Sequence, residues 1–158
     1  IILLSAVGLV AFFTGNSWLF IIALTMAAAL LAFLFYNFHP AKVFPGDSLT
    51  YTVGGLIAII SILGNFEKVA VFFFIPYMIE TILKLRGRLL KQSFGKPLED
   101  GFLDLRYSKL YGLEHISIFL QKKFNIKPTE KKVVYSIWIF QIIIILFVFV
   151  IFKEGIFR

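Results

Sequence analysis

"VVYSIWIFQIIIILFVFVIF" (Val133–Phe152) runs for about 20 residues without a charge, enough as a helix to cross roughly 30 Å of hydrocarbon. Upstream, Ser17–Tyr36 does the same. Hydrophobic residues make up 59% of the chain, against about half in soluble proteins. They come in unbroken runs rather than with an amphipathic period. The sequence reads as an integral, multi-pass, all-α membrane protein.

Three further apolar segments are Ile1–Phe13, Thr50–Leu63 and Val69–Leu83, which makes about five transmembrane segments. "TGNS" and "GNFEK" supply tight turns between neighbours. Pro76 should kink the fourth segment or loosen one of its backbone bonds, and Gly54-Gly55 would let a helix or ligand approach the third closely. The chain opens in mid-run with "IILLSAVGLVAFF", without an initiating Met or a basic leader. It therefore reads as the C-terminal portion of something longer. Without cysteine, disulfides and thiolate chemistry are excluded.

The net charge of +7 has a direction. Lys42 and every Lys and Arg from Lys84 to Lys132 fall in two loops that this topology places on one side. Only Lys68, Lys153 and Arg158 fall opposite, so the basic side is expected to be cytoplasmic. The expected organisation is residues 1–83 as transmembrane segments around a cytoplasmic loop at 37–49, then a cytoplasmic loop at 84–132, then a last span and tail at 133–158. The basic loop has no regular nucleic-acid-binding pattern, so no nucleic acid is expected as a partner.

That loop reads as a small α/β unit. Asp100-Gly101 is a turn signal, and Leu103, Leu105 and Tyr107 then alternate with Asp104 and Arg106, as in a hairpin. From Ser108, Leu110, Leu113, Ile116 or Ser117, Leu120 and Phe124 recur at helical spacing. They predict an amphipathic helix on the membrane surface or on the hairpin.

"NFHPAKVFPGDSLTY" (Asn37–Tyr51) is the polar interruption between two apolar segments. Pro40 and Pro45 break helix, Gly46 permits close backbone approach, and Ser48 or Thr50 is expected to cap the next helix. Asp47 then stands at the membrane boundary. A carboxylate there serves either helix-end electrostatics or Mg²⁺, which takes one or two carboxylates plus phosphate oxygens.

This stretch resembles the Asn-x-x-Pro-(Ala/Ser)-x-x-Phe-x-Gly-Asp-(Ser/Thr) signature of the polyprenyl-phosphate N-acetylhexosamine-1-phosphate transferases, membrane enzymes of ten helices. The later "EDGFLDLRYSK" resembles a Thr-Gly-x-Leu-x-x-x-Tyr-Ser-Lys stretch of the dolichyl-phosphate N-acetylglucosamine-1-phosphotransferase branch. The resemblance implies that Asp47 is the catalytic Mg²⁺ ligand (Mn²⁺ being an alternative), that Phe44 stacks on uracil, and that Asn37 hydrogen-bonds near the nucleotide. Phe44 as an interface anchor and Asn37 as a helix C-cap are the competing roles. The branch's cationic, His-containing loop segment is here "RGRLLKQSFGKPLEDG", without His. Arg88, Lys91 and Lys96 are the cations it offers to a pyrophosphate, against a purely topogenic role, and His115, the loop's single histidine, is a candidate for substrate binding against a structural role. The family's Asp-Asp-x-x-Asp and Asn-Gly-x-(Asp/Glu)-Gly motifs belong before Ile1.

By resemblance, the expected activity is transfer of N-acetylglucosamine 1-phosphate from UDP-N-acetylglucosamine to a polyprenyl or dolichyl phosphate on the cytoplasmic face, releasing UMP. This would begin lipid-linked oligosaccharide assembly for protein glycosylation. Another UDP-N-acetylhexosamine donor, a non-catalytic scaffold and a homodimer stay open. A transporter is disfavoured because Glu80 is the one acid near the end of a span, whereas pathways carry buried ionisable groups.

Overall fold

A computed structural model describes residues 1–156. Helices dominate it: α1 (Ile2–Phe13), α2 (Ser17–Asn37), α3 (Asp47–Leu63), α4 (Glu67–Phe73), α5 (Ile75–Arg86), α6 (Leu113–Lys123), α7 (Glu130–Ile151) and α8 (Lys153–Ile156). A two-stranded ribbon of β1 (Lys96–Pro97) and β2 (Leu103–Asp104) lies between α5 and α6. The α2 and α7 helices are long and apolar enough to cross a membrane, whereas α1 and α3 are shorter apolar helices.

The chain divides into two compact units, Ile1–Phe73 with the chain from Ile142 onward, and Phe74–Gln141. In the first unit, α1 and α2 form a hairpin whose core is Leu4, Val7, Val10 and Ala11 against Leu19, Ala23 and Ala27. Small residues set the spacing, since a Cβ on Gly8 would lie 3.0 Å from that of Ala23. Such contact lets van der Waals packing hold helices together where lipid is as apolar as the side chains. The turn between them closes with bonds from Asn16 N–H to Ala11 O at 2.8 Å and Gly15 N–H to Phe12 O at 3.1 Å. Gly15, at φ 83°, occupies the left-handed position of that turn. Phe73 is fully buried against Phe149 of α7, with ring centroids 6.0 Å apart.

The expected fourth segment is not one helix. It ends as α4 at Phe73 and restarts as α5 at Ile75, with Pro76 in the first turn of the new helix. Proline removes a backbone donor and crowds the carbonyl four residues back, so the segment is interrupted at Phe74, as the expected loosening of a backbone bond would leave it.

In the second unit the hairpin is shorter than its alternating pattern suggested. Pairing stops at Lys96↔Asp104 and Pro97↔Leu103, leaving Leu105 and Tyr107 outside the ladder. The turn itself is as expected, with Gly101 at φ 77° and Asp100 accepting the Phe102 N–H. The α6 helix starts at Leu113 and buries His115, Ser117, Ile118 and Gln121. Leu120 and Phe124, expected on its packed stripe, are exposed. The polar residues bury because partners await them. Gln121 Nε2 donates to Ser117 Oγ, Ser117 Oγ bonds Ser136 Oγ at 2.6 Å, and Ser136 donates to Val133 O. This chain of hydroxyls joins α6 to the start of α7.

Candidate functional site

The Asn37–Asp47 loop is tied to the helix it leaves. Asn37, the last residue of α2, donates its Nδ2 to Val43 O at 2.8 Å, and Tyr36 O accepts the N–H of Lys42 at 2.8 Å. The amide thus spans the loop from its first residue to the one before Phe44. Asn37 forms this clamp rather than capping α2 through its own turn. Phe44 is 77% exposed. Gly46 is the N-cap of α3, with extended backbone and no side-chain cap. The helix therefore starts three residues before the expected Thr50, and neither Ser48 nor Thr50 caps it; Thr50 Oγ1 instead donates to Asp47 O. Among the described residues, apart from chain neighbours and the helix's own nearby backbone, nothing lies within 4 Å of a Cβ built on Gly46, Gly54 or Gly55.

Asp47 is exposed in the first turn of α3, at the positive end of that helix. Among the described residues no group of three or more His, Cys, Asp or Glu side chains could hold a metal ion. One carboxylate fits Mg²⁺ only as part of a set completed by phosphate oxygens and by donors from elsewhere.

Asn37, Phe44 and Asp47 are gathered in one loop of the first unit. Arg88, Lys91, Lys96 and His115 belong to the second unit and are considered there. His115 is 1% exposed. Its Nδ1 accepts the Tyr111 N–H at 3.2 Å, which puts the ring proton on Nε2, 3.3 Å from Phe94 O. Both nitrogens are engaged by backbone, so His115 pins the loop segments on either side of the hairpin to α6. Lys91 Nζ lies 5.1 Å above the Tyr107 ring, and that ring packs edge-on against Tyr111 and His115. Such a cation–π contact restrains the ammonium without neutralising it. Lys96 stands opposite Asp104 in the ribbon, and Asp104 binds Lys122 Nζ at 2.6 Å. The Lys122 hydrogen bond, then the Leu105 N–H, hold the Asp104 carboxyl below its usual range, with the Lys96 charge a smaller influence.

Arg88 has the most unusual backbone. α5 ends in the same left-handed turn as α1, with Leu89 N–H bonded to Lys84 O at 3.0 Å and Arg88 N–H to Leu85 O at 2.8 Å. The α3 and α6 helices end this way too, with Asn65 and Asn125 at the left-handed position, both at φ 56°. Glycine or asparagine fills three of these turns and arginine the fourth, at φ 53°, with Leu89 following at φ 59°. A left-handed L-residue costs roughly 1–2 kcal/mol, which Asn tolerates through local hydrogen bonding and Arg does not.

Two residues were not singled out as site residues from the sequence. Glu80 Oε2 accepts the Leu113 N–H at 2.6 Å, capping α6 from 33 residues away, while Oε1 pairs with Lys84 at 3.3 Å. Its one signal was isolation, as the lone acid in an apolar segment. Tyr107 lies inside the Tyr-Ser-Lys stretch, where it orients Lys91.

Residues 1–65, which include this whole loop, match the glycosyl transferase family 4 profile. Three relatives carry provisional or established names of sugar-phosphate transferases. A Sulfolobus acidocaldarius protein, provisionally named a UDP-N-acetylglucosamine–dolichyl-phosphate N-acetylglucosaminephosphotransferase, is 39% identical over 102 residues, 65% of this chain and 31% of the relative. A Bacillus subtilis protein, provisionally named an undecaprenyl-phosphate N-acetylglucosaminyl 1-phosphate transferase, is 34% identical over 60% of this chain and 28% of its own length. The phospho-N-acetylmuramoyl-pentapeptide-transferase of Staphylococcus carnosus is 38% identical over 65% of this chain and 34% of its own length. The resemblance drawn from Asn37–Ser48, to the polyprenyl-phosphate N-acetylhexosamine-1-phosphate transferases, is borne out by these matches. The chain spans about a third of the length of these curated relatives. No solved structure gives a significant match.

Proposed function

We propose that the protein containing this chain transfers N-acetylglucosamine 1-phosphate from UDP-N-acetylglucosamine to a polyprenyl phosphate of the dolichyl type, releasing UMP at the cytoplasmic face of a membrane. The observation that carries this reading is the clamped loop, in which the Asn37 amide holds the segment that displays Phe44 and Asp47 in the signature order. A phosphate oxygen of the lipid attacks the β-phosphorus of the donor as the bond to the UMP oxygen breaks. Mg²⁺, when bound, neutralises charge on the phosphoryl oxygens. Asp47 contributes one ligand, Phe44 offers a π-face to the base, and Asn37 keeps both on a fixed loop. Arg88, Lys91 and Lys96 are cations available to the pyrophosphate, and His115 positions the segments that bear them. A lipid acceptor and a water-soluble donor meet only at the membrane boundary, where this reading puts the loop between two apolar helices.

A second donor has support in the likeness to the pentapeptide-transferase of Staphylococcus carnosus. UMP release by the full-length protein, with UDP-N-acetylglucosamine and UDP-N-acetylmuramoyl-pentapeptide compared, decides between them. Release with neither donor, in the presence of polyprenyl phosphate and Mg²⁺, would overturn the proposal.

A further inference from the structure

The strained turn after α5 presents a surface that the reaction does not explain. Leu90 is 84% exposed, the most exposed large apolar side chain among the described residues, with Leu89 at 68% and Phe94 at 64%. Unlike the exposed residues of α2 and α7, these three lie in a loop of polar and basic sequence. From Lys84 to Leu98 there is no acid, while Arg86 and Arg88 precede the adjacent exposed Leu89 and Leu90 and Lys91 follows them. The left-handed backbone at Arg88 and Leu89 gives the chain this course, held by the bonds to Lys84 O and Leu85 O.

We propose that the turn from Arg86 to Phe94 is a wedge seated in an anionic bilayer surface. Leu89 and Leu90 enter the boundary between headgroups and acyl chains, and Arg86, Arg88 and Lys91 meet lipid phosphates. Charge complementarity selects this occupant: apolar tips between cations match an interface that offers hydrocarbon below and negative charge above. A protein partner would have to cover the leucines and supply acids between them. An anionic lipid surface supplies both requirements as a continuum. The wedge gives Arg88 and Lys91 to lipid phosphates in place of the donor pyrophosphate, and it stands if the donor or the chemistry is different.

The test uses the full-length protein in a cysteine-free background, reconstituted in nanodiscs, with a nitroxide on Leu90→Cys, and separately on Leu89→Cys. Glu99→Cys, exposed near the hairpin turn, is the aqueous control. In discs containing phosphatidylglycerol, the ratio of oxygen to nickel-chelate accessibility should be several-fold higher at both leucine sites than at the control. It should fall toward the control in pure phosphatidylcholine. A ratio equal to the control in anionic discs would overturn the wedge. Protection from both reagents would overturn it too, since the turn would then be packed on protein. An immersion indifferent to lipid charge would remove the cations from the proposal and overturn it as stated.

Discussion

The Asn37–Asp47 loop and the turn around Arg88 each follow a helix and each display a charged side chain, but they are built differently. The first is held by hydrogen bonds from its own residues, with Asn37 reaching Val43 and Tyr36 accepting Lys42, and no residue in it has a positive φ. The second puts an arginine where the turns after α1, α3 and α6 put Gly15, Asn65 and Asn125. A loop stabilised by its own residues carries its geometry as a motif. A turn held against local preference carries it in the surrounding contacts, and there the side chain must justify the backbone.

The sharpest break of this comparison is Asp47→Asn. It keeps the shape of a first-turn residue at α3 and removes the charge, so turnover should fall about 100-fold or more while thermal stability changes little. A variant that keeps full UMP release would remove Asp47 from the metal site. Next is Asn37→Ala, which deletes the loop clamp without touching a reacting group. Losing a hydrogen bond of about 1 kcal/mol that orients Phe44 and Asp47 should lower kcat/KM roughly tenfold. Asn37→Asp should be no better, since a carboxylate cannot donate to Val43 O.

Arg88→Gly should move stability and activity in opposite directions. Glycine fits the left-handed position, so the variant should unfold later, gaining up to about 1 kcal/mol, while transfer slows through loss of the cation. Thermal unfolding in detergent beside a UMP-release assay reads both. Gain in stability with undiminished rate would show that the arginine is kept for something other than the pyrophosphate, such as the lipid surface.

The two regions also differ in how much the sequence revealed. The apolar runs announced α2 and α7 because lipid-length hydrophobicity needs no partner to be recognised. The 37–48 loop was legible as a motif, although the start of α3 was misplaced by three residues. Glycine, with no side-chain cap of its own, gives a weaker signal than Ser48 or Thr50. In the second unit the hydrophobic period marked α6 but read its packed face only in part. His115, Ser117 and Gln121 are buried because backbone groups and hydroxyls wait for them, and Leu120 and Phe124 point outward. Glu80 as a cap for a helix 33 residues away left no local pattern at all. Long-range satisfaction of polar groups is what periodicity cannot report.

The smallest effect belongs to the electrostatics at that capped end. Glu114 is partly buried in the first turn of α6, and burial raises its carboxyl above the usual range, with the Glu80 charge adding to the rise, Glu130 adding less, and Lys84 opposing. A raised acid binds its proton more tightly folded than unfolded. Its contribution to stability is therefore greatest in acid and declines as pH rises through the ordinary carboxylate range to the folded pKa. At neutral pH the ionised Glu114 weighs against the fold. Glu114→Gln should stabilise the second unit at pH 7 by a few tenths of a kcal/mol, the effect kept small by solvent screening. The gain should shrink as pH falls through the folded pKa and be gone below about 4, where the native residue is protonated in both states. Thermal unfolding at the two pH values checks this. A destabilised glutamine variant at neutral pH would mean that the carboxylate is bound by the helix end strongly enough to outweigh burial and its acidic neighbour.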